Sequence, residues 1–369
     1  MKKARPFSAV FILMLAALFV ASIPAASPDP AQEKVDTAMI NRIWEEGVNR
    51  SKIIETLSYL TDVIGPRIPG SPAMRRAQEW ARDTLAAWGM ANAAIEPCGE
   101  FGLGWSNDYI SVHMTEPSYA SLLAYAKPWT LGTRGKITGH PILAIVRSQV
   151  DMDKWRGKLN GAIVLCDAPR QVHPVFKPYA HRYSDDDLKE LTETPIPIKP
   201  KGEAGGDKPA VKWEDLEAFY KTEGVALLVE SSKRDRSDYG TVRVDAYEGN
   251  GKNHLTPGQS PRIILPAEAY ARICRILDLE VPVTLEAEVR NTIYDQDKMG
   301  YNVVAEIPGW DKKGELVMLG GHLDSWTGGT GAVDNASGCA VAMEALRILK
   351  AVGVKPRRTI RAALWNGEE

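Results

Sequence analysis

The side chains whose types and spacing could do chemistry are concentrated in one stretch. From Gly320 the chain reads GGHLDSWTGGTGAVDNASG, then an apolar-periodic run, then RTIRAALWNGEE up to Glu369. His322 offers an imidazole, and Asp334 and Glu369 offer carboxylates. Imidazole together with carboxylate suits zinc, and a carboxylate can bridge two cations. Asp324, two residues after His322, is placed to accept the other imidazole N–H and so fix the tautomer. Glu368 precedes the candidate ligand Glu369. A free carboxylate beside a metal-bound water is a natural general base. Taken singly, each residue has an ordinary structural reading: a strand-end histidine, an Asp-Asn turn, a solvated Glu pair. The ordered set is what points to a metal centre.

The elements around these residues must bring them together. Leu316–Leu319 is a short apolar run, as in a strand buried on both faces. Ser337–Val352 is expected to be a helix, with Ala340, Met343, Leu346, Ile348 and Leu349 near helical spacing and Gly353 able to end it. Thr359–Trp365 is expected to be a second strand. Strand, helix, strand in that order implies parallel strands with a right-handed crossover. The candidate ligands then lie at the carboxyl ends of the strands, where open α/β sheets place their sites.

The motifs GGHLDS, DNASG and WNGEE resemble the co-catalytic zinc exopeptidases of clan MH. The earlier stretches YLTDVIGPRIPGS and GWSNDYISV resemble its carboxypeptidase Q (plasma glutamate carboxypeptidase) type. The resemblance implies an α/β fold: a mixed, largely parallel sheet flanked by helices, with an inserted, β-rich protease-associated domain. It implies two zinc ions, with His322 on one, Asp334 bridging both and Glu369 on the second. Glu368 would act as base and Asp324 would orient His322. A cis peptide between Asp334 and Asn335 is implied as well. Two further ligands would lie downstream of Glu369. The chain is therefore expected to be the amino-terminal part of an enzyme cut at its active site, inactive and poorly metallated as it stands.

Composition narrows the alternatives. At 369 residues, 44% hydrophobic and 25% charged, the chain is globular and long enough for two domains. A net charge of −2 gives no pull toward nucleic acid. The P-loop, nucleophile-elbow and H-E-x-x-H patterns are all missing. Lys2, Lys3 and Arg5 precede an apolar run, Ala9–Ala21, followed by small residues and prolines. This is the layout of a signal peptide over residues 1–26, too short for the ~20 residues of a membrane span. It predicts a secreted or periplasmic protein. Cys98, Cys166, Cys274 and Cys339 lack metal spacing and imply no particular disulfide, and Cys339 is expected to be a buried thiol.

Further along, apolar residues at 40, 43, 44 and 48, then 53, 57, 60 and 64, mark the buried face of one or two amphipathic helices. Ser71 and Pro72 open another helix, which Gly89 closes. Residues 37–130 and 283–369 are assigned to the peptidase domain and 131–282 to the insertion, where GKLNGAIVLCD matches the characteristic strand. Ala168–Lys212 is expected to be a long loop or a partly disordered segment, with helices at Trp213–Glu223 and Ala267–Leu277. His140, His173, His181 and His254 are read as surface histidines. Val283–Val289 alternates as a half-buried strand. Tyr301–Ile307 and Glu315–Leu319 are expected to pair antiparallel across Pro308–Gly314. The expected function is a secreted zinc metallo-exopeptidase acting on short peptides or dipeptides, with a homodimer allowed. An exported, non-catalytic peptide-binding or scaffold protein is the alternative.

Overall fold

The computed structural model describes residues 35–170, 176, 180–194, 211–232, 253–256 and 258–369. The expected signal peptide, His173 and much of the 168–212 stretch lie outside them. Within that stretch, Asp185–Glu193 forms a helix where a loop was expected. Ser184 and Asp187 make a capping box that starts it.

The candidate residues sit on a four-stranded sheet ordered β1 (Ala91–Glu100), β11 (Met299–Ile307), β13 (Arg358–Trp365) and β12 (Lys312–His322). β12 and β13 are parallel, with His322 opposite Trp365, and helix α8 (Ser337–Ala351) connects them. The strand–helix–strand reading therefore holds. The expected hairpin does not: β13 inserts between β11 and β12 and pairs antiparallel with β11. The seven residues from Pro308 to Gly314 suggested a turn, yet a strand distant in sequence supplied the better partner. Parallel pairing in this sheet is confined to β12–β13, since β1 also runs antiparallel to β11.

β12 is the outer strand, and Leu316, Val317 and Met318 are about half exposed rather than buried on both faces. Helix α8 covers the other end of the strand. A Cβ on Gly321 would lie 3.0 Å from the Cys339 amide. Cys339, Ala342, Met343 and Leu346 of α8 are buried. They share a core with Met74, Ala77, Ala81 and Leu85 of helix α3 (Pro72–Ala87). Each large apolar side chain so buried contributes about 1.5–3 kcal/mol. Helix α3 begins as expected: Ser71 accepts from the Met74 amide at 3.1 Å, with Pro72 in the first turn.

Two more sheets stand beside this one. β2 (Gly104–Glu116) and β10 (Thr284–Tyr294) pair antiparallel in a sheet ordered β3 (Ala120–Ser121), β2, β10, β5 (Ile137–Gly139). A five-stranded sheet runs β4 (Tyr125–Ala126), β9 (Arg262–Leu265), β8 (Leu227–Ser231), β7 (Ile163–Leu165), β6 (Pro141–Leu143). It is parallel from β6 to β9, and helix α6 (Trp213–Glu223) shares an apolar core with it. The class is mixed α/β throughout.

Helix α1 (Thr37–Asn49) departs from its apolar pattern. Ile40, Trp44 and Val48 are exposed, and the buried residue is Glu46. The reason is electrostatic: Glu46 meets Arg347 of α8 at 2.6 Å, which turns the apolar stripe outward. The second part of the pattern holds, with Leu60 and Ile64 buried in a π-helical turn, Tyr59–Ile64. No described helix is long and apolar enough to cross a membrane.

Candidate metal centre

His322 is the last residue of β12, and Glu368 and Glu369 follow the end of β13. Because the two strands are parallel neighbours, their carboxyl ends emerge side by side. Asp334 comes from the loop between β12 and α8, just before the helix. Asn335 Oδ1 accepts from the Gly338 amide at 3.0 Å, which ties this loop to the first turn of α8. The Asp334–Asn335 peptide is cis. One ligand atom each from His322, Asp334 and Glu369 lie within 4.8 Å of one another.

Asp324 organises the cluster. Its carboxylate is fully buried, 3.3 Å from His322 Nδ1, and accepts the amides of Glu368 at 3.3 Å and Glu369 at 3.0 Å. One side chain thus joins the end of β12 to the end of β13. The Asp324 carbonyl also lies 3.2 Å from His322 Nδ1. Two acceptors on that side place the imidazole proton on Nδ1 and leave the Nε2 lone pair facing the cluster. Nε2 then meets Asp334 Oδ1 at 2.9 Å, acceptor against acceptor. A cation or a proton satisfies such a pair, so the donor set fits a metal ion.

Glu369 carries the same signature. Burial pushes its carboxyl up, the Asp334 charge adds to this, and His322 and the Trp326 indole N–H oppose it. Glu368 stands apart from the three. Its side chain is largely exposed, with Oε2 3.7 Å from His322 Nε2, so it borders the cluster without closing it. The structure therefore brings His322, Asp334 and Glu369 together, with Asp324 behind His322 and Glu368 at the edge of the cluster. Cys339 is a buried thiol, as expected, and donates to the His322 carbonyl at 3.1 Å. Burial pushes its pKa up to about 12, which keeps it an inert thiol. All four cysteines are free.

Sequence reasoning missed Arg67, which is completely buried behind the site. Its Nε donates to Leu323 O at 2.7 Å, and its Nη atoms donate to the carbonyls of Leu60, Gly65, Thr330 and Gly331. Its own amide donates to Ser325 Oγ, and its carbonyl accepts from the Ser325 amide. Gly331, at φ +62°, leaves the room: a Cβ there would lie 2.3 Å from Ser325 and 2.8 Å from Arg67. A cation between Gly-Pro and Ile-Pro-Gly was the available signal. Of the histidines read as surface residues, His140 and His181 are exposed. His254 is half-buried instead, stacked on Phe101 with ring centroids 4.9 Å apart. The aromatic side offered a better surface than water.

Comparison with known proteins points to the same part of the chain. The family model for peptidase family M28 matches residues 302–369, which hold the whole cluster. Carboxypeptidase Q of Xenopus laevis is 47% identical over 346 residues, covering 92% of this chain and 62% of that protein. Over residues 302–369 the chain is thus similar to peptidase family M28, and over nine tenths of its length to carboxypeptidase Q. Carboxypeptidase Q of Homo sapiens is 25% identical over 336 residues, covering 91% of this chain and 62% of that protein. The crystal structure of a peptidase M28 precursor from Shewanella amazonensis shares the fold, with a TM-score of 0.54 at 22% identity. It covers 90% of this chain and 67% of that one. The chain spans about three fifths of the length of the curated carboxypeptidase Q relatives it matches.

Proposed function

We propose that this chain is a peptidase of family M28 and carries the metal centre of a secreted, zinc-dependent metallo-exopeptidase that hydrolyses short peptides or dipeptides. The observation that carries the reading is the convergence of His322, Asp334 and Glu369 within 4.8 Å, with Glu368 beside them. His322, Asp334 and Glu369 would hold zinc, and Asp334 has the second carboxylate oxygen needed to share a further ion. Zinc, when bound, would polarise the scissile carbonyl and acidify water. Glu368, exposed at the edge of the cluster, takes a proton from the attacking water at its carboxylate and returns it to the leaving amine. Asp324 keeps His322 in the tautomer that presents Nε2.

The sequence layout of residues 1–26 supports export. For the domain division we keep 37–130 and 283–369 as peptidase and 131–282 as insertion. β2 and β10 pair with one another across that insertion, and their buried residues share a core with its strands β7, β8 and β9.

Replacing Glu368 with Gln in the complete gene product should leave metal content intact and lower kcat about 10²–10⁴-fold. Asp334→Asn should lose metal. Zinc content by atomic emission and hydrolysis of a panel of free dipeptides, with and without chelator, check both. Wild-type turnover in the Glu368→Gln protein would remove the base assignment. Dipeptide hydrolysis indifferent to chelator would remove the metallopeptidase reading itself.

A further inference from the structure

Asparagine followed by glycine occurs three times in the chain, at Asn160, Asn250 and Asn366. Such a pair is chemically labile, because a glycine amide with no Cβ beside it can reach the asparagine carboxamide. The attack needs an amide that is not already engaged. Gly161 donates its amide to the Gly224 carbonyl at 2.9 Å, so its nitrogen is held, although Asn160 is exposed. The Gly367 amide makes no hydrogen bond with the described residues, while the amides around it are all held. Asn366 donates to Asn302 Oδ1 at 3.0 Å, and Glu368 and Glu369 donate to Asp324. Asn250 and Gly251 lie outside the described residues. Asn366 is half-buried and lines a cleft of about 720 Å³, through which water reaches its carboxamide. Gln78 Nε2, on helix α3, donates to Asn366 Oδ1 at 3.5 Å, on the oxygen where negative charge develops as the amide attacks.

We propose that Asn366–Gly367 is a spontaneous modification site that ages the metal centre. The Gly367 nitrogen bonds to Asn366 Cγ, the Cγ–Nδ2 bond breaks, and the Gly367 amide proton leaves with that nitrogen as ammonia. Water then opens the five-membered imide. Opening at the side-chain carbonyl gives aspartate, and opening at the main-chain carbonyl gives isoaspartate, whose main chain runs through Cβ and Cγ. Water is the only co-reactant, and nothing is oxidised or reduced. Isoaspartate inserts one carbon into the main chain, about 1.5 Å, directly before Glu368 and Glu369. Asp324 holds those two amides at 3.3 and 3.0 Å. A metal site tolerates errors of only about 0.2 Å in its ligand distances. The lengthened link therefore uncouples the end of β13 from Asp324 and moves Glu369 off the cluster. The covalent step stands by itself, and its effect on zinc rests on the metallopeptidase reading.

The test ages the complete gene product and its Asn366→Gln variant in mildly alkaline buffer. Glutamine can close only a six-membered imide, which forms far more slowly. Peptide mapping by mass spectrometry, with enzymatic methylation of isoaspartate, reads each Asn-Gly pair, and atomic emission reads zinc. One hydrogen bond that must break first slows the attack at Asn160 about 5-fold, so isoaspartate should build up faster at 366 than at 160 by about that factor. Zinc content should fall in step with isoaspartate at 366, while Asn366→Gln keeps the zinc of its own fresh sample. Isoaspartate absent from 366, or forming at 160 as fast as at 366, would overturn the proposal. Isoaspartate at 366 with zinc unchanged would overturn the ageing of the centre. A fresh protein that binds no zinc, yet forms isoaspartate at 366, would remove the metal reading and uphold the modification site.

Discussion

Arg67 shows how much a single side chain can hold in place behind a site. All its side-chain partners are main-chain carbonyls, from the turn that ends at Gly65 and from both ends of the loop running from Leu323 to Gly331. Burial lowers its pKa, with the nearby Asp324 charge opposing that shift, but a guanidinium stays charged throughout the accessible pH range. Replacing it with Met strands several buried carbonyls, each worth about 1–3 kcal/mol when unsatisfied. We expect Arg67→Met to lose at least ~3 kcal/mol of unfolding free energy by urea titration. Arg67→Lys should recover only part of it, because an ammonium cannot reproduce a planar fork that reaches two segments. A Lys variant as stable as wild type would show that charge alone, and not the fork, does the holding. The five candidate residues could be picked out in the sequence because ligand chemistry restricts residue type. Arg67 was not, since a buried arginine and a surface arginine are the same letter between the same glycines and prolines.

At the scale of elements, the packing of α1 against α8 is polar where the sequence pattern was apolar. Arg347 bridges Glu46 at 2.6 Å and Glu344 at 2.7 Å, and Glu344 also accepts the Lys52 amide at 3.0 Å. Periodicity identified both helices correctly and put the wrong face of α1 inward. Hydrophobic spacing cannot weigh a buried ion pair that forms across about 300 residues of chain. The arrangement has a pH consequence. Burial alone would raise the Glu344 carboxyl, yet its bonds from Arg347 and from the Lys52 amide outweigh that and hold it below its ordinary value. The folded chain therefore binds this proton more weakly than the unfolded chain. The resulting stability is present in full above the unfolded-state value, ~4.3, and is lost as pH falls through the depressed folded one. Arg347→Met should cost about 3 kcal/mol at pH 7. The gap between variant and wild type should narrow below pH ~4, where Glu344 protonates in both. Thermal unfolding across pH 3–7 measures it, and a gap constant with pH would mean that packing, not the ion pair, sets the loss.

For the molecule as a whole, fold class followed from local signals, while strand order did not. β10 was readable because Leu285, Ala287 and Val289 alternate on one buried face. The place of β13 between β11 and β12 was hidden, because strand order depends on which distant edges meet. That order leaves β12 outermost among the described strands, with Leu316, Val317 and Met318 each about half exposed. Successive strand residues point to opposite sides, so both faces of this segment are open as well as its edge. An apolar outer strand is a template for pairing with another chain. The 369-residue chain should accordingly self-associate with rising concentration. Val317→Lys should raise the concentration at which this begins, because a lysine on an edge strand cannot be buried between two sheets without losing its hydration. Static light scattering across a dilution series reads the difference. A wild-type chain that stays monomeric through the series would show that the open strand is not a pairing surface. Association that Val317→Lys leaves untouched would place the contact elsewhere, with the exposed Ile40, Trp44 and Val48 of α1 as the next apolar surface to test.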